Sequence, residues 1–295
     1  MSGTPARIGD ILGGGQRSFS FEFFPPKDEA GEEVLWRSIS ELEPLQPSFV
    51  SVTYGAGGTT RDRTLAITGR IAQETSMLPM AHLTCVGHTS EELVDILRAL
   101  RESGVGNVLA LRGDPPGGPG TPFEPTPGGV DYASELVELV RRSSDLCIGV
   151  AAFPEGHRDS ASLDEDVTVL KAKQDAGAEF AVTEMVLRAS DYVALVERGA
   201  AAGVTIPVVP GIMPILRLSS MERMVELSGR EIPQEVRDRL EPLAEDPAAV
   251  RAEGIAIATE LCDELLAGGA PGLHFYTLNR SKATREIWSA LSLSA

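Results

Sequence analysis

The chain has 295 residues, of which 42% are hydrophobic and 23% are charged, and its formal net charge is −17. This composition is typical of a globular protein, and the acidic balance excludes a general nucleic-acid-binding surface, which needs many lysines and arginines. No apolar run approaches the roughly 18–20 residues of a membrane helix and no signal-peptide pattern is present, so we expect a cytoplasmic protein without membrane contact.

Short apolar strands alternate with amphipathic helices along the chain, which is typical of a parallel sheet covered on both faces. We predict eight strands, at residues 18–24, 49–53, 80–84, 108–111, 147–152, 180–183, 207–209 and 273–276. Eight such units favour a closed α/β barrel, a (β/α)8 TIM barrel, over an open sheet. We therefore predict a single domain over residues 1–295, in which residues 1–16 form an N-terminal extension.

The first predicted strand alternates with a period of two. Phe19, Phe21 and Phe23 fall on one face, and the other face carries Ser18, Ser20, Glu22 and Phe24. Pro25 and Pro26 end the strand, because proline donates no backbone hydrogen bond. Glu22 is thus predicted to lie at the tip of a buried strand, where apolar surroundings would raise the pKa of its carboxyl group.

Helix ends and loops are visible between the strands. Thr89 and Glu92 form a capping box before a helical segment that Gly104 ends. Residues 115–129 contain too much proline and glycine for regular structure, so we predict a rim loop after the fourth strand. Residues 218–269 read as helical and delay the eighth strand.

Cysteines and histidines give no metal pattern. Cys85, Cys147 and Cys262 are odd in number and widely spaced, which predicts reduced core residues rather than disulfides or a zinc site. The four histidines include no pair at the helical spacing of a metalloprotease. We therefore predict no metal site.

Polar residues end or follow most of the predicted strands. They are Glu22, Thr53, His82, Thr84, Arg112, Asp114, Glu184, Tyr276 and Asn279, and Gly113 lies between Arg112 and Asp114. In a barrel these positions face one rim, and active sites of the fold lie at the carboxyl ends of the strands. The pattern predicts an enzyme.

A glycine-rich segment at residues 55–58 follows the second strand and resembles a dinucleotide-binding fingerprint. That fingerprint requires glycine at its sixth position, where this chain has Thr60. The segment is better interpreted as a tight turn that lets a flat or phosphorylated ligand approach the backbone.

Five motifs, in order from about residue 18 to residue 281, together resemble the methylenetetrahydrofolate reductases. They are FEFFPPK at 21–27, SVTYGAGG with RDRT at 51–58 and 61–64, HLTC at 82–85, ALRGD at 110–114 and HFYTLNR at 274–280. The resemblance implies a flavin (FAD) barrel that reduces 5,10-methylenetetrahydrofolate to 5-methyltetrahydrofolate with NADH or NADPH. Its partner would be a reduced folate, and its product would feed methionine synthesis.

The resemblance also implies roles for individual residues. Glu22 matches the family's general acid, and Asp114 matches an aspartate near the flavin and pterin rings. Positions that match flavin contacts are Thr53, Tyr54, His82, Arg112, Gly113, Asp114, Tyr132, Ala151, Phe153, His157, Asp166 and Lys173. Positions that match substrate contacts are Glu22, Asp114, Glu184, Met224 and Arg280.

The chain departs from the family pattern at several positions. Glu184 stands where the family usually has a glutamine, and an ionised carboxylate accepts hydrogen bonds but cannot donate them. Val186 and Leu187 replace an aromatic pair. In addition, Val169 and Ala172 stand where some relatives have polar or basic flavin contacts.

Three hypotheses follow. The first is a flavin-dependent reductase, the second is a variant reductase with weak or no flavin that takes hydride directly from the nicotinamide, and the third is a non-redox barrel that binds folate or flavin. Glu22 and Asp114 favour an oxidoreductase, because mere binding does not need a buried acid. The resemblance further implies a catalytic domain without a regulatory extension, and a homo-oligomer, since relatives commonly form dimers or tetramers.

Overall fold

Eight parallel strands close into a barrel. The computed structural model describes residues 6–55, 60–115, 117–118 and 120–293. Each strand pairs with its neighbours in the chain, and the last pairs with the first. The strands are β1 (Ser18–Phe23), β2 (Phe49–Val52), β3 (Pro79–Thr84), β4 (Asn107–Leu111), β5 (Cys147–Ala152), β6 (Phe180–Met185), β7 (Val208–Ile212) and β8 (Gly272–Tyr276). The predicted (β/α)8 barrel is confirmed, and the strand ends differ from the predicted ones by at most three residues.

Helices surround the barrel and connect its strands. They are α1 (Ile8–Gly13), α2 (Glu29–Leu42), α3 (Arg61–Glu74), α4 (Ser90–Glu102), α5 (Ala133–Ser143), α6 (Leu163–Ala176), α7 (Ala189–Ala201), α8 (Leu218–Ser228), α9 (Gln234–Leu240), α10 (Pro247–Ala267) and α11 (Ser281–Ala290). Short 3-10 helices follow α2 and α9, at Glu43–Leu45 and Glu241–Leu243. The long helical connection before β8 is therefore as predicted. Within the described ranges, no helix has the length and apolarity needed to cross a membrane.

The capping box at the start of α4 is confirmed. The backbone N–H of Glu92 donates to Thr89 Oγ1 at 3.3 Å, and the backbone N–H of Thr89 donates to Glu92 Oε2 at 2.8 Å. Gly104 follows the helix with a φ of +88°, a left-handed conformation that favours glycine. Local sequence thus sets both ends of this helix.

Strand β1 separates an outer aromatic face from an inner polar one. Phe19 and Phe21 pack against Trp288 of α11, with ring centroids 5.4 and 5.6 Å apart. Ser20 and Glu22 point inward instead, where both contact His274 of β8. The predicted alternation of this strand is confirmed.

The amino-terminal end of the barrel is closed by α1, a helix within the predicted extension that the sequence analysis did not identify. Ile8 and Leu12 are buried and pack with apolar residues that lie mostly at the beginnings of β2 to β6. The backbone N–H of Ile8 donates to Asn107 Oδ1 at 2.9 Å, which satisfies a donor at the helix start. Tertiary contacts therefore stabilise a helix too short to form alone.

Two predicted features lie partly outside the described residues. In the glycine-rich turn at 55–58, Ala56, Gly57 and Gly58 are outside them, and in the proline-rich loop at 115–129, Pro116 and Pro119 are. The described remainder of that loop contains neither helix nor strand, as predicted. The three cysteines are buried, in agreement with their prediction as core residues.

Candidate active site

A cavity of about 610 Å³ opens at the carboxyl ends of the strands. Its volume falls within the roughly 300–1,000 Å³ that is usual for small-molecule sites. Thirteen of the predicted site residues line it: Glu22, Tyr54, His82, Arg112, Gly113, Asp114, Tyr132, Ala151, Phe153, His157, Asp166, Lys173 and Glu184. The barrel thus brings together side chains that are far apart in the sequence.

Three predicted site residues do not line this cavity. The backbone N–H of Thr53 donates to Phe23 O at 3.0 Å, so Thr53 continues the pairing of β1 with β2. Met224 lies on α8 with 36% of its surface exposed, and Arg280 is the exposed N-cap residue of α11. Any contact that these residues make with a ligand lies outside the main cavity.

Glu22 is almost completely buried at the end of β1, with 5% of its surface exposed. Its Oε2 atom accepts hydrogen bonds from Ser51 Oγ at 3.1 Å and from His274 Nε2 at 3.2 Å. His82 Nε2 lies 3.2 Å from the same oxygen, although it is not aligned for a hydrogen bond. Two imidazole rings and a hydroxyl group therefore surround one carboxylate oxygen.

The expectation of apolar surroundings and a raised pKa for Glu22 is wrong. Burial by itself raises the pKa of this carboxyl group, but the charge of His82 and the contacts with His274 outweigh burial and lower the pKa to about 2. These histidines come from β3 and β8, so the alternation of β1 could not reveal them. In this structure Glu22 is a carboxylate.

The orientation of His274 is fixed on both sides. Its Nδ1 atom lies 2.7 Å from Ser20 Oγ, and its ring stacks on Phe49 at a centroid distance of 5.8 Å. Because a carboxylate only accepts hydrogen bonds, His274 Nε2 must carry the proton that it shares with Glu22. His274, Ser20 and Ser51 were not predicted as site residues. Their signal was the presence of polar residues at inward positions of apolar strands.

The turn after β4 brings Arg112, Gly113 and Asp114 to the cavity mouth. Gly113 has a φ of +86°, and a Cβ atom there would lie 2.7 Å from the Cβ atom of Thr84. Glycine is thus required both by conformation and by space. Asp114 is exposed at the rim of the cavity, where its carboxylate is accessible to a ligand.

Positive charge gathers on the side of the cavity formed by β4, β5 and α6. Arg112 Nη2 forms an ion pair with Asp159 at 2.8 Å, and Lys173 Nζ donates to the backbone carbonyl of Ala151 at 2.9 Å. Burial lowers the pKa of Lys173 to about 8. Its charge is therefore held in place without a directly bonded carboxylate.

Asp166 also lines this side of the cavity, but its hydrogen bonds are made with the protein. Its Oδ2 atom accepts from the backbone N–H of His157 at 2.8 Å, and its Oδ1 atom accepts from Ser160 Oγ at 2.7 Å. The His157 ring in turn packs edge-on against Phe153 at 4.7 Å. Asp166 thereby orders the loop that follows β5.

Glu184 lies at the end of β6 and forms a separate acidic group. Its Oε2 atom is 2.8 Å from Nη2 of the buried Arg230, and its Oε1 atom accepts a hydrogen bond from Ser228 Oγ. Arg230 Nη1 also donates to Glu155 Oε1 at 3.2 Å. Arg230, Ser228 and Glu155 were not predicted, because nothing in their local sequence indicates a contact with β6.

The chain is similar to known proteins over nearly its whole length. The family model described as Methylenetetrahydrofolate reductase matches residues 7–292. Methylenetetrahydrofolate reductase 1 from Schizosaccharomyces pombe is 39% identical over 279 residues, which are 94% of this chain and 46% of that protein. The 5,10-methylenetetrahydrofolate reductase from Escherichia coli is 37% identical over 279 residues, 95% of this chain and 92% of that protein.

The similarity includes plant proteins and solved structures. Methylenetetrahydrofolate reductase (NADH) 1 from Arabidopsis thaliana is 39% identical over 97% of this chain and 50% of that protein. The chain thus spans about half the length of its fungal and plant relatives. A Clostridium thermocellum protein, described as binding two copies of 5-methyl-5,6,7,8-tetrahydrofolic acid, has a TM-score of 0.67, 14% identity and 97% coverage of both chains. At that identity it supports the fold alone.

Proposed function

The chain belongs to the methylenetetrahydrofolate reductase family, and from this premise we propose that it reduces 5,10-methylenetetrahydrofolate to 5-methyltetrahydrofolate with electrons from NADH or NADPH. The observation that carries the proposal is the buried Glu22 carboxylate, which faces the cavity together with His82. Ring opening of the substrate develops negative charge on a leaving amine, which requires a proton. A positioned acid typically accelerates such a step about 10² to 10⁴-fold.

The proton donor in this proposal is a group of three side chains. His82 Nε2 and His274 Nε2 both lie 3.2 Å from Glu22 Oε2, so the three side chains form one contiguous group. Glu22 presents the proton to the substrate amine, and the two imidazole rings are the nearest groups through which a proton can reach its carboxylate.

The cavity residues fit a bound FAD. Arg112 and Lys173 supply positive charge for a diphosphate, and the small side chain of Ala151 leaves room for a flat ring close to the backbone. Thr84 Oγ1, at the base of this region, is buried without a hydrogen-bond partner in the described chain and can bond to a ligand. When bound, flavin would supply hydride transfer between the nicotinamide and the one-carbon unit.

Asp114 and Glu184 are proposed to contact the pterin. Both line the cavity, and a reduced pterin has several N–H groups that can donate hydrogen bonds to a carboxylate. Asp114 lies in the turn after β4 and Glu184 lies in β6, so they would bind the ring from different sides. The acidic groups would thus recognise the uncharged substrate ring, whereas the cationic side would bind phosphates.

One observation favours the second candidate, a reductase with weak flavin binding. Val169 and Ala172 line the cavity on α6, and Val169 is 43% exposed. Neither side chain can contact a phosphate or a ribose through a hydrogen bond. Flavin binding would then rest largely on Arg112 and Lys173.

The test is an assay of the purified protein. We expect a flavin absorbance band that NADH or NADPH bleaches, that methylenetetrahydrofolate restores, and that is accompanied by formation of methyltetrahydrofolate. A colourless protein that nevertheless forms methyltetrahydrofolate would favour the second candidate. A protein that forms no methyltetrahydrofolate, even after flavin is added, would contradict the proposed activity.

A further inference from the structure

The side chain of Glu184 is directed into the cavity by an irregularity in β6. Val182 pairs with Val209 of β7, and Met185 pairs with Gly211, so β6 contains one extra residue in this interval. Thr183 Oγ1 accepts from the backbone N–H of Gly211 at 2.9 Å and so stabilises the irregularity. Bulges of this kind commonly redirect a side chain next to an active site. The bulge in β6 therefore sets the direction in which the Glu184 side chain points.

Arg230 reaches Glu184 because of the way α8 ends. Gly229 adopts a φ of +69°, and the backbone N–H of Arg230 then donates to Val225 O at 2.8 Å. This is the Schellman arrangement, in which a left-handed glycine reverses the chain after the last helical turn. The reversal sends the Arg230 side chain inward, where only 6% of it is exposed.

Arg230 connects the ends of three elements. Its guanidinium group lies 2.8 Å from Glu184 Oε2 at the end of β6, and it donates to Met185 O at 3.1 Å and to Glu155 Oε1 at 3.2 Å in the loop after β5. A buried arginine charge is costly without such partners. Arg230 Nη2 thus forms an ion pair with Glu184 Oε2 that is not aligned as a hydrogen bond, and Ser228 Oγ donates to Oε1, so both oxygen atoms of the carboxylate are contacted.

The held carboxylate still has capacity to bind a ligand. Its side chain is 34% exposed, and it faces the cavity. Each carboxylate oxygen can accept two hydrogen bonds, so acceptor positions are left for a ligand. A glutamine would need no cation beside it, whereas an ionised glutamate in this position does. Arg230 thus supplies a cation to the carboxylate that stands at residue 184 in place of the family's usual glutamine.

We propose that Arg230 is a positioning residue that holds the Glu184 carboxylate as a hydrogen-bond acceptor for N–H groups of the bound pterin. The inference rests on the proposed function. It adds that Arg230 and Glu184 act together, since Arg230 holds the carboxylate that contacts the pterin ring. Without Arg230, the carboxylates of Glu184 and Glu155 would face one another without a cation. The Glu184 carboxylate would then no longer be held in the orientation that accepts hydrogen bonds from the pterin.

The test compares single and double variants of the full chain for their affinity for 5-methyltetrahydrofolate. We expect Arg230→Met to weaken binding about tenfold or more, and Glu184→Gln to weaken it about threefold, because Arg230 keeps Glu155 as a partner. The double variant, Arg230→Met with Glu184→Gln, is expected to recover affinity, because an amide needs no neighbouring cation. A merely structural arginine would not be rescued in this way.

Two controls accompany these variants. Arg188→Met removes an exposed arginine that follows the same strand and pairs with Glu235, so folate affinity should not change. If Arg230→Met fails to fold, Arg230→Lys replaces it, because lysine keeps the charge but cannot reproduce the planar fork. The lysine variant should bind folate with reduced affinity, and adding Glu184→Gln to it should restore binding.

The outcomes separate this inference from the proposed function. Unchanged folate affinity in the Arg230 variants, or a double variant as weak as the product of both single losses, would overturn the role of Arg230 alone. Absence of folate binding by the unaltered chain would instead contradict the proposed function, and this inference with it.

Discussion

The two ends of the barrel differ in what fills them, since α1 packs into the amino-terminal end and a cavity opens at the carboxyl-terminal end. At the amino-terminal end, the Asn107 side chain accepts from Ile8 and donates to the backbone carbonyl groups of Ala6 and Pro79. At the carboxyl-terminal end, Thr84 Oγ1 is buried without a hydrogen-bond partner in the described chain, and it lines the cavity. Ser18 Oγ, at the start of β1, also lacks a partner in the described chain, but Ser18 does not line the cavity.

This difference separates stability from function within one fold. Buried polar groups are usually paired, and each unpaired one requires an explanation. At the carboxyl-terminal end the explanation that we propose is a ligand, since the unpaired atom belongs to a residue that lines the cavity. The amino-terminal end needs no ligand, because α1 already fills it. The comparison teaches that the same strands can be closed by packing at one end and remain open for binding at the other.

The largest expected effect is on catalysis, and it comes from replacing a glutamate by glutamine at the carboxyl-terminal end. The same replacement at the amino-terminal end is the control. Glu22→Gln should lower formation of methyltetrahydrofolate by about 10² to 10⁴-fold, because an amide cannot deliver the proton. Oxidation of NADH or NADPH with a quinone as acceptor should be retained, because that reaction does not open the folate ring. Steady-state assays of both reactions measure the two effects.

The matched control is Glu179→Gln at the amino-terminal end. Glu179 forms an ion pair with Arg7 at 2.7 Å and lies far from the cavity. Turnover should be unchanged in this variant. Equal losses in both reactions of Glu22→Gln, or a similar loss of turnover in Glu179→Gln, would contradict the assignment of Glu22.

The second prediction disturbs only the closed end. Ile8→Ala should lower the free energy of unfolding by about 2–5 kcal/mol, because it leaves a cavity among well-packed residues. The kcat value of the folded protein should not change. Urea unfolding and an activity assay at low temperature check this result. A large fall in kcat with unchanged stability would contradict the conclusion that the amino-terminal end serves stability and not function.

The third prediction concerns the buried Lys173 at the open end. Lys173→Met should stabilise the flavin-free protein and weaken flavin binding about tenfold or more, since burial of this charge opposes folding but attracts phosphate. Thermal unfolding and a flavin fluorescence titration measure these opposite effects. Weaker folding together with unchanged flavin affinity would show that Lys173 is a structural residue.

Lys173 also predicts a dependence on pH. Its pKa is about 8 in the folded protein, below the ordinary value of 10.5, so the unfolded chain binds more protons between these values. The free energy of unfolding of the flavin-free protein should therefore rise from about pH 8 to about pH 10.5 through this group. The rise should be smaller in Lys173→Met. Flavin affinity of the unaltered chain should decrease as the pH rises above about 8, when the lysine loses its charge.

The smallest expected effect is on stability. It tests whether a residue at the carboxyl-terminal end can affect stability without affecting the ligand site. Thr89→Ala removes the capping box of α4 and should lower the free energy of unfolding by about 0.5–2 kcal/mol. The residue does not line the cavity, so kcat and KM should not change. Thr89→Ser, which keeps the hydroxyl group, is the control. A change in KM would mean that capping residues at this end also influence the ligand site.

Local patterns were sufficient to predict most of the fold. The alternation of β1, the capping box at Thr89 and the helical connection before β8 depend on near neighbours in the sequence. Helix α1 was missed for the opposite reason. Ile8 and Leu12 form a short apolar pattern, and their burial depends on strand ends more than 30 residues away.

Most of the site residues that the sequence predicted line the cavity, but the sequence did not predict the pKa of Glu22 or the partner of Glu184. The rim position of Glu22 follows from the strand pattern, whereas its lowered pKa depends on His82 and His274, which only barrel closure brings near. Similarly, Glu184 was identified as a departure from the family, but its partner Arg230 lies 46 residues further along the chain. Long-range contacts of this kind leave no signal in a local window of sequence.

The pairing of β8 with β1 has a consequence for association between copies of the chain. An open sheet would expose a row of unpaired backbone groups at each side, where another strand could add and begin aggregation. Among the described residues, every strand has a neighbour on both sides. The sheet therefore offers no template for strand addition, and any assembly of copies must use the helices and loops that surround it.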